Sequence, residues 1–520
     1  MPFWHKRLMM MTDGKRLHGA SVVIMILSRL RDFIIPIIIA FVIGSTGGGP
    51  GLFFMLALPI LLVFSTIYSF LYWLTFRYQV KDQELHVKQG IIIKKERFIQ
   101  RSRVQSFDMS AGIPQRIFSL VKVQIETAGG GGEPDVELIA LRRSEANRLK
   151  KKLLAKPEPP TTEEGSDEER EHMVEAESEE DESFDVDEKI ESSWELGFKR
   201  LLFAGMTSGG VGLVLSAVLA LFSQIDVFLP EEFYESTIGL ILSSTLTLLA
   251  ITIFLIAVFA WLISIVITIF KYGQFTVVKR GNDLVISRGL LERKQLTLKI
   301  HRITTVRYVT GILRQPFGFT TLYVESKGGG SADEQQSTIL VPLIRRKEAR
   351  EVLEKFLPEF VCDREEALYP LPKRAMIRYM IRAVVPILIV TVPISIFVPF
   401  GAYGLLFILL GLYIGWLRYR NGGVQVDGKT LILQWRLFNL NRAVIPRKWI
   451  QAADVFQSPL QRWRKLSTYS VSILSSMSGK SFEIRDVEAD RGEDLLAWYS
   501  REVETPDLHK KNDNNEKSPL

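Results

Sequence analysis

The chain contains three copies of one segment, and this internal repetition constrains the fold more than any other feature of the sequence. Residues 78–130 align without gaps on a segment 199 residues later, which in turn aligns on a third segment 147 residues further along. The apolar positions that coincide include Leu85, Leu284 and Leu431, and also Ile99, Leu298 and Ile445. Fixed-period self-similarity is typical of a chain built from copies of one structural unit. We therefore interpret the 520 residues as three related units with connecting segments.

Six stretches are apolar enough to cross a bilayer, since a membrane-spanning helix needs about 20 residues. Their approximate limits are 24–43, 52–75, 201–222, 238–270, 383–400 and 402–417. Arg29, Arg31 and Asp32 interrupt the first stretch, so residues 15–31 could instead form an amphipathic surface helix that leads into a short span. The stretches come in pairs, and each pair precedes one repeat. The pattern predicts three transmembrane hairpins, each followed by a repeat unit.

Charge around the hairpins predicts their orientation. The turns inside the three pairs, "GSTGGGPG", "SQIDVFLPEEFYES" and "PFGA", contain no Lys or Arg, whereas the opposite ends of the spans are basic. Basic residues remain on the cytoplasmic side of membrane proteins. We therefore expect both termini and all three repeat units in the cytoplasm, and we find no pattern of a cleavable signal peptide.

Charge is also divided along the chain. Residues 157–192 contain 17 acidic and two basic residues, a net charge of −15, which leaves +22 for the remainder because the whole chain carries +7. The acidic segment is poor in apolar residues and is predicted to be a disordered linker. A basic remainder beside membrane spans favours contact with anionic headgroups over nucleic acid. The single cysteine, Cys362, excludes an intramolecular disulfide and a cysteine-cluster metal site.

The sequence of each repeat unit predicts a β-rich structure. Short alternating apolar runs are separated by turns such as "KDQ", "KRGND" and "DGKT", whose Gly, Asn and Asp residues suit tight hairpins. A helical stretch closes the unit; in the second copy Ala349, Val352, Leu353 and Phe356 share one helical face. We predict about seven antiparallel strands and one C-terminal helix in each unit, arranged as a small barrel or an orthogonal sheet pair with the helix at one end.

The first unit contains "IQRSRVQSFDMSAGIPQRIFSL", and the second matches its "IQ…VQ…GIPQRIF" pattern less closely. In the third, Trp449 replaces Arg103 and Arg302. With the preceding hairpins, this pattern resembles the bacterial membrane-flanked domain, a bacterial version of the pleckstrin-homology (PH) fold, in the three-copy form found in Firmicutes. The resemblance implies an α+β membrane protein with six transmembrane helices in three hairpins, each followed by a cytoplasmic PH-like β-barrel and its C-terminal helix.

The expected organisation divides the chain into eight parts. They are an N-terminal segment with the first hairpin (1–75), PH-like domain 1 (76–155), an acidic disordered linker (156–195), the second hairpin (196–270), PH-like domain 2 (271–360), a connector with the third hairpin (361–417), PH-like domain 3 (418–502) and a disordered tail (503–520).

Basic residues are concentrated in the middle strands of the units. They are Lys94, Lys95, Arg97, Arg101 and Arg103; Arg293, Lys294, Lys299 and Arg302; and Arg442, Arg447 and Lys448. Tethering beside the bilayer favours a patch that contacts anionic lipid headgroups, because screening ends electrostatic attraction beyond about 10 Å. The alternative is an ordinary solvated face of a cytoplasmic domain.

No residue pattern points to catalysis or to a bound cofactor or metal. His86 and His301 occupy different repeat positions without neighbouring ligands, and we interpret them as strand or surface residues. The glycine runs at 129–132 and 328–330 lack the following Lys of a phosphate-binding loop and are read as turns.

The sequence therefore favours a non-enzymatic membrane scaffold, and the resemblance suggests a role in envelope stress or in resistance to membrane-active peptides. The expected partners are anionic lipid and either a smaller membrane-flanked protein or a second copy of the chain. The alternative function is transport or export of a lipid or hydrophobic peptide. Spans two, three, four and six carry no ionisable residue in their central portions, which disfavours proton-coupled transport.

Overall fold

A computed structural model shows how the repeat units are built. It describes residues 14–30, 50–81, 84–91, 93–127, 134–154, 190–210, 212, 214–216, 246–327, 337–361, 368–397, 401–474 and 479–500. The described residues form an α+β protein in which three β-rich units follow apolar helices. Residues 157–189 of the predicted acidic segment 157–192 lie outside the described residues, as do both glycine runs and the predicted tail 503–520.

The first unit follows helices α1 (Ser21–Leu30) and α2 (Pro50–Thr75). Its elements are β1 (Arg77–Lys81), β2 (Glu84–Gln89), β3 (Lys95–Gln100), β4 (Val104–Ala111), α3 (Ile113–Ile117), β5 (Leu120–Thr127), β6 (Val136–Arg142) and α4 (Arg143–Leu154).

The second unit has the same order of strands. It comprises β7 (Ile190–Glu195), α5 (Phe198–Met206), α6 (Leu246–Tyr272), β8 (Thr276–Arg280), β9 (Asp283–Arg288), β10 (Arg293–Lys299), β11 (Ile303–Thr310), β12 (Phe319–Ser326), β13 (Thr338–Arg345) and α7 (Arg346–Phe356).

The third unit completes the series. It comprises β14 (Tyr369–Pro370), α8 (Met376–Phe397), α9 (Phe407–Arg420), β15 (Gly423–Asp427), β16 (Thr430–Arg436), β17 (Leu440–Pro446), β18 (Ile450–Phe456), α10 (Pro459–Trp463), β19 (Leu466–Ile473), β20 (Lys480–Glu488) and α11 (Ala489–Ser500).

Sheets cross the boundaries between units. The strand orders are β1-β2-β3, β6-β5-β4-β10-β9-β8-β7, β13-β12-β11-β17-β16-β15-β14 and β18-β19-β20. Each unit therefore has a first and a second three-stranded half, and the second half of one unit joins the first half of the next. We call the β4–β10 pairing joint 1 and the β11–β17 pairing joint 2. Both are antiparallel.

The seventh strand lies elsewhere than the sequence suggested. Six strands follow the apolar helices that begin each unit, and in units two and three the additional strand precedes those helices: β7 pairs with β8, and β14 pairs with β15. In unit one the corresponding contact is a single bridge between Lys15 and Tyr78. Placing all seven strands after the hairpin was therefore wrong. Residues 190–195 were assigned to the disordered linker. They instead form β7, which is ordered by its antiparallel pairing with β8 of the second unit.

The C-terminal helix of each unit covers its core. Ala349, Val352, Leu353 and Phe356 on α7 are all buried, which confirms the predicted helical face. Ala146, Leu149 and Leu153 are buried at the matching place in unit one, and Leu495 and Trp498 in unit three. The units thus share one architecture.

Two helical segments are long and apolar enough to cross a membrane, among the described residues. They are Ala250–Tyr272 and Lys373–Phe397, and the second contains Pro386 and Pro393. Helix α2 coincides with the second predicted span and α9 with most of the sixth. Residues 31–49 and 217–245 lie outside the description; they hold most of the first predicted span, the end of the third and the start of the fourth.

Candidate membrane-contact site

Each unit exposes a short apolar turn between the first and second strands of its second half. Helix α3 has no buried residue, and Ile117 is 73% exposed. The equivalent turn of unit two exposes Leu313 and Phe317, and α10 exposes Trp463 to 80%. We call these three turns the rim. Its large exposed residues are Ile113, Ile117, Phe118, Ile312, Leu313, Phe317, Leu460 and Trp463.

The rim turns lie beside the ends of the apolar helices. Arg116 on α3 donates to the carbonyl of Leu290 (2.8 Å), and the backbone N–H of Leu290 donates to Phe270 near the end of α6. The ring of Phe317 contacts that of Phe203 on α5, with centroids 5.2 Å apart. These contacts place the exposed apolar residues on the side of the units from which the helices leave.

A buried carboxylate fixes the third rim turn to the start of α8. The side chain of Asp486 is fully buried; it accepts a hydrogen bond from Arg378 Nε at 2.8 Å and forms an ion pair with Arg382, whose Nη1 lies 2.6 Å from the carboxylate. Gln461 on α10 donates to the same carboxylate at 2.9 Å. Loss of one member of a buried ion pair leaves the other charge uncompensated, so breaking this link is costly. Asp486 therefore connects helix α8 to the α10 turn.

Arg314 makes the corresponding connection in unit two, between the rim turn and α5. It donates to Thr207 Oγ1 (3.0 Å) and to the carbonyl of Ala204 (3.3 Å), just after and within α5. It also donates to Thr321 Oγ1 at 2.6 Å. Burial lowers the pKa of the Arg314 guanidinium from its usual value, but a pKa that begins so high leaves it charged at neutral pH. The charge at this turn thus serves attachment to α5.

The twelve basic residues predicted to contact lipid are divided between the two ends of the units. Lys94, Lys95, Arg293 and Lys294 begin the third strands, next to the helix ends: Arg293 Nη2 donates to Gln274 Oε1 at 3.1 Å, two residues after α6. Lys299 lies at the other end of β10. It is about 20 Å from Arg293, because a strand rises about 3.3 Å per residue. A single continuous patch is therefore not formed.

The distant basic residues occupy 3₁₀ turns that begin the second half of each unit. They are Arg101 and Arg103 (101–103), Arg302 (300–302), and Arg447 and Lys448 (447–449). Arg302 Nη1 donates to the carbonyl of Val104 in the preceding unit at 2.9 Å. Lys448 pairs with Glu359, also in the preceding unit, at 2.6 Å. These two cations connect neighbouring units.

Burial lowers the pKa of Lys299 and of Arg302. Since the same burial withdraws both charges from solvent, the two side chains suit the joint better than a mobile headgroup. The two remaining candidates also contact other residues of the protein: Arg97, which is exposed, pairs with Asp135 at 3.1 Å, and Arg442 lies opposite Tyr308 in joint 2.

A cavity of about 770 Å³ opens at joint 1. Its apolar lining includes Leu120, Val121 and Val278, and Arg116 and Arg293 are among its basic side chains. The mixture of apolar wall and cations suits an amphipathic anion. Among the described residues, no group of three or more His, Cys, Asp or Glu side chains is arranged to hold a metal ion.

The rim was not recognised from the sequence, although its signal is present. "GIPQRIF", "GILRQPF" and "SPLQRWR" each combine large apolar residues with Arg in a segment too short to bury them. Pattern analysis treated the first two as a family signature, because the position of the turn relative to the helix ends depends on contacts between distant parts of the chain.

Comparison with known proteins agrees with this architecture. The profile of the family described as "Bacterial PH domain" matches residues 33–157, 226–359 and 383–503, which is most of the chain. The chain belongs to the bacterial PH domain family. Its three matches coincide with the three units and include apolar residues that precede each one, as the resemblance in the sequence suggested.

A curated relative matches over nearly its whole length. The chain is 34% identical over 500 residues, covering 95% of this chain and 99% of the relative, to the "UPF0699 transmembrane protein YdbT" of Bacillus subtilis (strain 168). A match of this extent includes the apolar helices and the connecting segments as well as the bacterial PH domains.

Proposed function

We propose that the protein is a multi-pass bacterial membrane scaffold that holds three PH-like units against the cytoplasmic leaflet. The observation that carries this proposal is the rim: three equivalent turns expose large apolar residues beside the helix ends. Water-exposed apolar side chains grouped in this way mark membrane or protein contact sites. Two long apolar helices and the transmembrane name of the relative support membrane attachment.

The rim suits the boundary between headgroups and acyl chains. An apolar side chain that is fully removed from water contributes about 1.5–3 kcal/mol. A Lys or Arg near an anionic surface adds about 1 kcal/mol, and Lys94, Lys95, Arg293 and Lys294 lie on the side of the helix ends. We infer that the apolar turns insert while these four cations contact anionic headgroups.

We infer three hairpins, six spans and cytoplasmic termini for the complete topology. The basic residues at the helix ends support this orientation, and α2, α6, α8 and α9 lie where spans were predicted. Cysteine labelling of intact cells tests it. A cysteine at Ile117 or Trp463 should react only after the membrane is permeabilised, and labelling of either in intact cells would reject the cytoplasmic placement.

Fluorescence tests lipid contact by the rim. In full-length protein carrying Cys362→Ser, an environment-sensitive probe on Ile117→Cys should shift to the blue in nanodiscs and be quenched by lipid-borne nitroxide. The matched control is Lys429→Cys, which is exposed in the β15–β16 turn at the far end of unit three. Equal quenching at both positions, or quenching at neither, would contradict insertion of the rim.

The physiological role proposed from the family resemblance is envelope protection. Cells lacking the protein should be more sensitive to cationic membrane-active peptides, and wild-type protein should restore resistance while a variant with Ile117→Ser, Phe317→Ser and Trp463→Ser should not. If this variant, produced at the same level as the wild type, restored resistance, the exposed rim residues would not be needed for envelope protection.

The cavity at joint 1 favours a second candidate function, handling of a lipid or hydrophobic peptide. Its lining combines apolar side chains with arginines, which fits an amphipathic ligand. Reconstituted protein should then increase transfer of a fluorescent anionic lipid between leaflets or vesicles, and Val278→Trp should reduce the transfer by filling the cavity. Transfer at the rate of protein-free vesicles would leave the scaffold as the preferred function.

A further inference from the structure

The two joints between units use the same register. In joint 1 Phe107 lies opposite Thr297, and in joint 2 Val306 lies opposite Val444. The repeat shifts of 199 and 147 residues convert the first pair into the second. Likewise Asp108 lies opposite Leu296 in joint 1, and its counterpart Arg307 lies opposite Ala443 in joint 2. The joint is therefore a recurring structural element.

The ends of the series present the two halves of a further joint. The first half of unit one ends in β3, and the second half of unit three begins with β18. Each is the edge strand of a three-stranded sheet in the part of the chain that the structure describes. β3 is equivalent to β10 and β17, and β18 is equivalent to β4 and β11. An edge strand of this kind is a template for pairing with another strand.

Exposure distinguishes the end strands from their joined equivalents. Ser106 and Thr305, on β4 and β11, are both 0% exposed, whereas Ala452 at the same position of β18 is exposed. Leu296 on β10 is buried, whereas Arg97 at the same position of β3 is exposed. The positions that a joint covers are thus the positions left in solvent at the two ends.

We propose that β18 of one copy pairs with β3 of a second copy of this chain, in the register of the internal joints. The repeat shifts then place Ala452 opposite Ile99 and Asp454 opposite Arg97. Opposite charges directly across an antiparallel ladder stabilise it. The guanidinium of Arg97 has five donors, so it can bind Asp454 of the second copy while it retains Asp135.

The charges on β3 do not prevent such pairing. Lys94 and Lys95 correspond to Arg293 and Lys294, and these two residues lie within joint 1, opposite Ala111 and Ser110. A second copy is the occupant that the structure favours, because one chain carries both complementary edges and the same contact already occurs twice within it.

The new contact joins two different surfaces, so it generates a ring if the rotation closes and an open array if it does not. Because it repeats the step that relates one unit to the next, the helix ends of added copies lie on the same side as those of the first. The assembly therefore remains compatible with a single membrane face.

Cross-linking between two differently tagged full-length chains tests the pairing and its register. Both carry Cys362→Ser; one carries Arg97→Cys and the other Asp454→Cys. After co-expression and mild oxidation in native membranes, we expect a disulfide-linked pair of the two chains. The control pair, Arg97→Cys with Gln451→Cys, is three residues out of register on an exposed position of the same strand and should cross-link at least about tenfold less.

A single substitution tests the edge independently. Purified full-length protein should form oligomers in detergent or polymer-extracted membrane, whereas Ala452→Lys should remain a monomer with an unchanged thermal midpoint in dilute solution. Three outcomes would overturn the proposal: equal cross-linking of both cysteine pairs, oligomers that persist in Ala452→Lys, or a cross-link from Arg97→Cys to a different protein in place of a second copy.

Discussion

The middle unit and the two outer units have the same architecture but differ in how their sheets end. The first and second halves of unit two are both joined to neighbours, whereas units one and three each keep one half as a separate three-stranded sheet. Residues at equivalent positions of the repeat are consequently buried in a joint in one unit and exposed to solvent in another. The difference shows that burial here depends on the neighbouring repeat as much as on local sequence.

The two joints also differ from each other in their buried charges. Beside joint 2, the buried carboxylate of Glu325 on β12 accepts from Lys480 Nζ on β20 of unit three at 2.7 Å and from Ser337 at 2.8 Å. At joint 1, the equivalent Glu126 is half-buried and accepts from Ser106 at 3.0 Å. Joint 2 therefore depends more strongly on a charge from the following unit.

The largest expected effect comes from a charge placed in a closed joint. Thr305→Lys should lower the free energy of unfolding by about 4 kcal/mol or more. The residue is fully buried, and Glu325, which lies opposite it, is already paired with Lys480 and Arg307, so the added ammonium is an excess buried charge. The matched change at the open edge, Ala452→Lys, should alter stability by less than about 0.5 kcal/mol. Thermal unfolding of the dispersed proteins measures both, and equal effects would show that the two environments do not differ.

The next effect separates the two joints. Glu325→Gln leaves the Lys480 ammonium, whose pKa burial already lowers, without its carboxylate. Breaking a buried pair costs about 3–5 kcal/mol, so the thermal midpoint should fall clearly, and the loss should become smaller at alkaline pH, where Lys480 is neutral. Glu126→Gln should cost about 1 kcal/mol. A larger loss at Glu126, or a pH-independent loss at Glu325, would contradict this order.

A third pair of substitutions should show no difference between middle and outer units. Gly90 and Gly289 have φ of +108° and +102°, and a Cβ on either would lie 2.0 Å from a backbone carbonyl oxygen. Alanine at either position should therefore cost at least about 1–2 kcal/mol. The turns belong to single units, so the two losses should agree within about 0.5 kcal/mol; a clear inequality in thermal unfolding would indicate that the joint extends into the turn.

The smallest expected effect concerns pH and the far end of joint 1. Partial burial, together with Arg302 and Lys299, lowers the pKa of His301 below its usual 6.5. The unfolded chain then binds the proton more readily, so folded protein loses stability as pH falls through about 6.5 and loses no more below the folded pKa. His301→Gln should reduce the acid-induced fall in thermal midpoint between pH 8 and pH 5, and an identical fall in both proteins would refute this assignment.

The sequence predicted much of each unit and little of how units connect. Alternation and helical spacing identified the strands and the buried face of α7, since both depend on local periodicity. The β7 strand was missed because its first residues belong to the predicted acidic segment and because it is ordered by pairing with β8. The basic residues were identified by type, but their division between helix ends and joints follows from strand direction. Arg302 and Lys448 were assigned to lipid, whereas their contacts lie in adjacent units.

Because the second half of one unit pairs with the first half of the next, the number of repeats can change while the pairing between them stays the same. Each joint pairs one strand from each of two repeats, so insertion or deletion of a whole repeat leaves one joint strand without a neighbouring repeat at each end of the series, among the strands that the structure describes. A shortened or lengthened descendant would inherit the same pair of complementary ends. Gene duplication can therefore alter the length of such a molecule without removing its two complementary edges.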